Sequence, residues 1–243
     1  MHSFSKYITL QESKYLKRVD SIVEHLDTMD NALFITTSNR WEGHKDLPKS
    51  HQLAAYIASK TKATVTTIDA SKLNIYQCEG NISTSSGNNC GVKASALKDS
   101  KKNPSGCHRC WASINNKDDE LWKISKPLLE ANAVIFFGSV RWGSMNAVYQ
   151  KLIERLTWLE NRHSTLNESN IIKGIQTGVV AIGQNWNGTN AVEIQKQVLK
   201  FYGFNTSHDV LFWNWQYTND KFDESQKSYK DSAHEFTKNV ISQ

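Results

Sequence analysis

Two periods of apolar and polar residues alternate along the chain. Short β-rich apolar runs stand at Asn31–Thr37, Ala63–Ile68, Ala133–Phe137, Gly178–Gln184 and Asp209–Trp215, each of a length that suits a buried strand rather than a helix. Between them apolar residues recur at helical spacing. Leu16, Val19, Ile22, Val23 and Leu26 mark a helix from about Leu10 to Leu26. Pro48 and Ser50 open a second, Asp118–Glu130 reads as a helix that Pro127 bends or interrupts, and Thr189–Tyr202 and Asp223–Val240 read as two more. The longest apolar stripe runs over Val148–Arg162, through Val148, Leu152, Leu156 and Leu159, with Tyr149 and Ile153 widening it. Five strands alternating with helices predict an α/β protein with a doubly wound parallel sheet.

One stretch breaks the rhythm. Residues 70–117 are rich in Ser, Asn, Gly and Lys and contain all four cysteines. A connection this long inside a compact domain is predicted to be functional or mobile. The chain reads as one domain over 1–243, with an N-terminal helical extension (1–28) and this insertion.

Composition adds limits. At 243 residues, with 39% hydrophobic and 22% charged positions, the chain is long enough for a sizeable core. No apolar run approaches the roughly 18 residues of a membrane span, and the N-terminus lacks the apolar core of a secretory leader, so a cytoplasmic address is expected. The net charge is +5 and the pI about 8.9, but Lys and Arg are scattered, so no nucleic-acid face is predicted. Four cysteines without export read as thiols or ligands rather than a disulfide framework.

The candidate chemistry sits where strands give way to helices. After Phe137 the chain breaks at Gly138-Ser139, passes through Val140-Arg141-Trp142-Gly143-Ser144-Met145-Asn146 and enters the long helix. A loop of that kind offers backbone N–H groups, hydroxyls and a flat aromatic at a helix N-terminus, at the carboxyl edge of a parallel sheet. The loop after the first strand, with Ser38, Asn39 and Arg40 and then Ser50 and His51, combines N–H donors, hydroxyls and a counter-charge suited to a phosphate dianion. It lacks the glycine patterns of dinucleotide and triphosphate sites. The loop after the fourth strand, Gly183-Gln184-Asn185-Trp186-Asn187-Gly188, offers close backbone approach and amides that complement a pyrimidine edge, with Trp186 as a stacking surface or as packing. Cys107-His108-Arg109-Cys110 fits a redox dithiol, half of a zinc site, part of a cluster site or plain structural thiols. Cys107 and Cys110 are thus the weak metal candidates; no metal and no intact four-iron cluster are expected.

The stretch GSVRWGSMNAVYQKLIER resembles the second flavin loop of the NAD(P)H-dependent FMN reductases and multimeric flavodoxins, with Ser139, Val140, Trp142, Gly143, Ser144, Lys151 and Arg155 in register. Arg141 stands where that family usually has Tyr, and no Pro follows Ser139. Ser38 and Arg40 match the family's Ser-x-Arg start of the first loop, and the gap to Ser50-His51 is longer than usual. Asp118-Asp119 after the cysteines gives a more distant likeness to iron–sulfur flavoproteins. The resemblance implies a flavodoxin-like sheet of order 2-1-3-4-5, bound FMN held by the three loops, and a switch point between the strands ending at Thr37 and Gly138. It implies an enzyme that takes electrons from NAD(P)H and passes them to a quinone, nitro, azo or similar small acceptor, with the chemistry carried by the flavin and no catalytic side chain. An electron carrier, or a flavodoxin-like binding domain without activity, are the other readings. A cation at Arg141 would raise the flavin potential if it lay at the ring edge; the other reading is a surface ion pair with Glu42 or Glu160. The apolar surplus over Val148–Arg162, Trp158 included, predicts a homodimer or homotetramer.

Overall fold

The computed structural model describes residues 10–41, 44, 47–183 and 186–215, and beyond these Lys227, Lys230, Asp231, Ala233 and His234. The helix expected over 223–240 lies, apart from those few positions, outside the described residues, as do Gln184, Asn185 and Glu42.

The strands are β1 (Asn31–Thr36), β2 (Thr64–Asp69), β3 (Ala133–Arg141), β4 (Ser144–Met145), β5 (Gln176–Ile182) and β6 (Phe212–Trp215). The helices are α1 (Leu10–Leu26), α2 (Lys49–Lys60), α3 (Trp111–Asn115), α4 (Trp122–Glu130), α5 (Ala147–Arg155), α6 (Thr157–Ser164) and α7 (Gly188–Tyr202). The sheet has six strands, with β2-β1-β3-β5-β6 as its parallel path and β4 antiparallel on β3. Count and order therefore differ from the five-strand 2-1-3-4-5 expectation, because β4 intervenes in chain order.

The central strands β1, β3 and β5 are buried on both faces, and side-chain alternation divides them between two cores. Leu33, Ile35, Val134, Phe136, Val179 and Ala181 join a cluster that takes in Leu121, Ile124 and Leu128 near and on α4, Tyr149 and Leu152 of α5, and Leu199 of α7. Ala32, Phe34, Ile135, Phe137, Val180 and Ile182 join the other, with Val19, Ile22 and Leu26 of α1 and Leu53, Ala54 and Ile57 of α2. Helix α1 packs beside α2 on this face. Arg18 fastens it there by donating to the carbonyls of Asp209 and Phe212, both at 2.7 Å.

Two differences from the sequence reading matter. The single helix expected over Val148–Arg162 is two, α5 and α6, broken at Leu156 (φ −91°, ψ 0°). The second difference is the insertion, which packs against them. His108 stacks on Trp158 with ring centroids 5.3 Å apart. Trp158 is fully buried, removing about 150–250 Å² of aromatic surface from water, an upper bound of about 4–6 kcal/mol at the usual area coefficient. The apolar surplus that motivated an oligomer is thus used within the chain.

A buried ion pair locks the arrangement. Arg155 meets Asp119 through both guanidinium nitrogens, at 2.7 and 3.0 Å, and donates to the Tyr76 carbonyl and the Ser113 hydroxyl. Burial alone would raise the Asp119 carboxyl, but the Arg155 and Ser113 bonds outweigh it and hold it below the usual carboxylate range. The His108 ring, bonded to Ser125 at 2.5 Å and Ser113 at 2.9 Å, is pushed down to about 4 by burial and then by the Arg155 charge. Among the described residues no helix is long and apolar enough to cross a membrane.

Candidate functional site

Strand β1 pairs β2 on one side and β3 on the other, so the connections leaving β1 and β3 diverge at their carboxyl ends. Such a point opens a crevice in a doubly wound sheet. A cleft of about 520 Å³ lies there. Its lining comes from four places: Ser38, Asn39, Arg40, Trp41 and His44 after β1; Pro48, Lys49 and Ser50 at the start of α2; Ser139, Val140, Arg141 and Trp142 at the end of β3; and Ile182 and Gly183 at the end of β5.

One wall is the start of α2. Pro48 precedes it in an extended conformation (φ −54°, ψ 141°), which its ring favours, and has no side chain to cap the helix. No acidic residue occupies the first turn; Lys49 stands there instead. Unsatisfied N–H groups and a positive dipole end make a helix start an anion seat. The neighbouring Ser38 adds an independent sign. Its hydroxyl is buried, the residue 5% exposed, and it has no hydrogen-bond partner among the described residues. An orphaned buried hydroxyl costs free energy unless a ligand satisfies it. Arg40, whose Nη1 is 3.5 Å from His44 Nδ1, adds charge to this wall. Among the described residues of the lining there are cations and no carboxylate.

His51, expected beside Ser50 as a phosphate ligand, is directed elsewhere. Its Nε2 stands 3.0 Å from Asp69 Oδ2, a charge contact rather than an aligned hydrogen bond, and its Nδ1 is 3.4 Å from the Ser50 hydroxyl. Burial raises the Asp69 carboxyl, but the His51 contact and the Ser71 bonds bring it below its ordinary value.

The opposite wall corrects the sequence reading. Ser139–Asn146 is not an open loop at a helix mouth but a β-hairpin. Strand β3 continues through Arg141, and Val140↔Met145 and Arg141↔Ser144 pair across it. Trp142 (φ +50°) and Gly143 (φ +73°) form its two-residue turn, both left-handed as a type I′ hairpin requires. Gly138, read as a break, stays in the strand because a Cβ there would stand 2.6 Å from Met145 Cε and 2.7 Å from Thr37 Oγ1.

The hairpin sorts the expected residues. Ser139, Val140, Arg141 and Trp142 face the cleft. Met145, 3% exposed, belongs to the core. Asn146 ties β1 to β3, its Nδ2 donating to the Thr37 carbonyl at 2.7 Å and its Oδ1 accepting from Thr37 Oγ1 at 3.0 Å and Ser139 N at 3.3 Å. The Ser144 hydroxyl accepts from Gln150. Gly143 lies under the Trp186 ring: an added Cβ would come 2.5 Å from Trp186 Cζ3, while Asn187 Nδ2 donates to the Gly143 carbonyl at 2.8 Å. Gly188 sits against the Asn214 side chain rather than the cleft. Trp41, His44, Pro48, Lys49 and Ile182 line the cleft without having been singled out as site residues. A Pro-Lys-Ser opening with no acid in the first turn was the available signal for Lys49.

The cysteines lie away from this lining. All four are free, Cys110 is buried, and burial pushes the Cys90 thiol up to about 11. Among the described residues no group of three or more His, Cys, Asp or Glu side chains is placed to hold a metal.

No protein-family model and no curated protein sequence matches this chain. Solved structures do. RosB with bound 8-demethyl-8-formylriboflavin 5′-phosphate superposes with a TM-score of 0.54 at 12% identity, over 87% of this chain and 74% of that one. An azoreductase from Bacillus anthracis str. Sterne matches at 0.44 and 16% identity, over 88% of this chain and 96% of that one. FerB, a flavoenzyme NAD(P)H:(acceptor) oxidoreductase from Paracoccus denitrificans, matches at 0.41 and 12% identity, over 87% of this chain and 96% of that one. The topology of this chain, and its likeness to RosB, make the fold flavodoxin-like.

Proposed function

We propose that this chain is an FMN-dependent oxidoreductase that takes electrons from NAD(P)H and delivers them to a small acceptor such as a quinone, nitro or azo compound. The observation that carries the reading is the buried Ser38 hydroxyl without a partner among the described residues, set beside the uncapped start of α2 in a cation-lined cleft at the sheet's switch point. That wall suits a phosphate monoester: Ser38 supplies a hydroxyl, Ser50 a hydroxyl at the helix start, and Lys49 and Arg40 supply charge. The ends of β3 and β5, at Ser139–Val140 and Ile182–Gly183, offer backbone edges and a partly apolar surface for a flat ring system. Bound FMN would supply two-electron redox chemistry between NAD(P)H and the acceptor, in which a hydride from NAD(P)H and one proton from solvent together account for the two electrons and two protons the acceptor gains. The protein binds and orients; no acid–base side chain is required of it.

The test is stoichiometric. Purified chain should release or take up one FMN per chain and oxidise NAD(P)H only when FMN and an acceptor are present. Absence of FMN binding defeats the reading; FMN binding without NAD(P)H oxidation leaves an electron carrier.

A further inference from the structure

The tip of the β3–β4 hairpin carries side chains that neither packing nor turn geometry explains. Trp142 takes a left-handed conformation, φ +50°, at a turn position that favours Asn, Asp or Gly. Its side chain is 95% exposed, so no burial offsets the strain or the apolar surface shown to water. Strain kept where packing does not impose it points to function. Arg141 beside it is exposed, and its guanidinium makes no ion pair or hydrogen bond with any described residue, Glu160 included. Trp41, 79% exposed, lines the same cleft from the β1–α2 connection, and Trp186, 65% exposed, lies over Gly143 next to Trp142.

Two exposed indoles, Trp41 and Trp142, line one cleft and a third lies on the hairpin turn beside it, forming flat apolar surfaces whose natural complement is another flat ring. Their neighbours among the described lining residues are cations, with no carboxylate among them. Arg40 and Lys49 belong to the α2 wall; Arg141 stands on the hairpin with Trp142. We propose that Trp142 and Arg141, with Trp41, form an acceptor subsite that selects planar aromatic molecules bearing a carboxylate or sulfonate. The ring stacks on Trp142 and the anion meets Arg141. The inference rests on the proposed FMN reading, since it assigns the second ligand of that cleft. It also gives Arg141 a task different from both sequence readings, the flavin-edge cation and the surface ion pair.

The test uses FMN-loaded enzyme and two non-reducible competitors, naphthalenesulfonate and neutral naphthol, as inhibitors of quinone reduction. Wild type should bind the sulfonate about tenfold more tightly, a ratio typical of one added charge-assisted contact. Trp142→Ala should weaken both competitors about tenfold through lost stacking. Arg141→Gln should abolish the preference, leave naphthol unchanged, and leave FMN affinity and the flavin reduction potential where they were. Equal inhibition by both competitors in wild type overturns the subsite, as does a Trp142→Ala variant that binds both normally. A fall in potential or FMN affinity in Arg141→Gln returns that residue to the flavin edge and also overturns the assignment. Should the chain bind no FMN, tryptophan quenching by naphthalenesulfonate on the FMN-free protein decides separately. Quenching lost in Trp142→Ala sustains the subsite while the flavin reading fails; no quenching in wild type ends both. Quenching unaltered in that variant places the aromatic site elsewhere and overturns the proposal.

Discussion

Replacing Ser38 by Ala separates a ligand-binding hydroxyl from a structural one, because the two roles give effects of opposite sign. The residue is 5% exposed and its Oγ has no partner among the described residues. A buried hydroxyl left unpaired costs about 1–3 kcal/mol, so its removal from the FMN-free chain relieves a penalty and leaves only a small void. Stability of the FMN-free protein should stay level or rise by up to about 1 kcal/mol, about 2–4 °C in thermal midpoint for a chain of this size. Affinity should move the other way. A hydrogen bond to a charged phosphate contributes about 1.5–3 kcal/mol, which raises the Kd for FMN about tenfold to a hundredfold. Ser50→Ala supplies the contrast, since the Ser50 hydroxyl has a neighbour in His51 Nδ1 at 3.4 Å and its removal gives no such relief. Fluorescence titration with FMN and a thermal scan of the FMN-free variants read both quantities. A Ser38→Ala protein that is less stable without FMN yet binds FMN normally refutes the reasoning.

Two further effects follow from the frame around the cleft. The His108 ring, lowered to about 4 in the folded chain, is ordinary when unfolded. Between about pH 6.5 and 4 the unfolded chain therefore takes up a proton that the folded chain refuses, and stability falls as pH falls. The full loss is about 3 kcal/mol. His108→Gln, which keeps polar contacts to Ser113 and Ser125, should flatten that dependence in urea unfolding; an unchanged slope counts against a buried neutral imidazole. Gly143→Val should lower the thermal midpoint through positive-φ strain of about 1–2 kcal/mol, with an added overlap against Trp186. A second change, Trp186→Ala, should recover the overlap but not the strain, and full recovery would contradict the left-handed turn.

Much of the architecture was legible because buried parallel strands announce themselves as short apolar runs. Ala133–Phe137 and Asn31–Thr37 lie within or against β3 and β1, and α1 spans the residues its apolar spacing marked. The site was legible in part. Ser38, Arg40, Ser50 and Arg141 do line one cleft, brought together by strand order. What the pattern hid was the hairpin. Gly138 looks like a terminator, whereas the constraint that requires glycine is its approach to Met145 and Thr37, residues remote or on the far side of the turn. Met145 and Asn146 look like loop residues for the same reason, yet cross-strand pairing turns them inward. The apolar surplus on α5 and α6 was equally ambiguous, since periodicity shows that a face is covered but not by what. The polar-looking segment 70–117 brings His108 to Trp158, and Ser113 within it and Asp119 just beyond it meet Arg155.

Binding of FMN to the purified chain tests the central claim most directly. Titration of FMN-free protein, followed by flavin fluorescence, should reach saturation at one FMN per chain, and Ser38→Ala should shift the curve to higher concentration. Riboflavin, which lacks the phosphate that Ser38, Lys49 and the start of α2 are read as holding, should bind far more weakly. No saturable binding of FMN, or equal binding of FMN and riboflavin, would contradict the account.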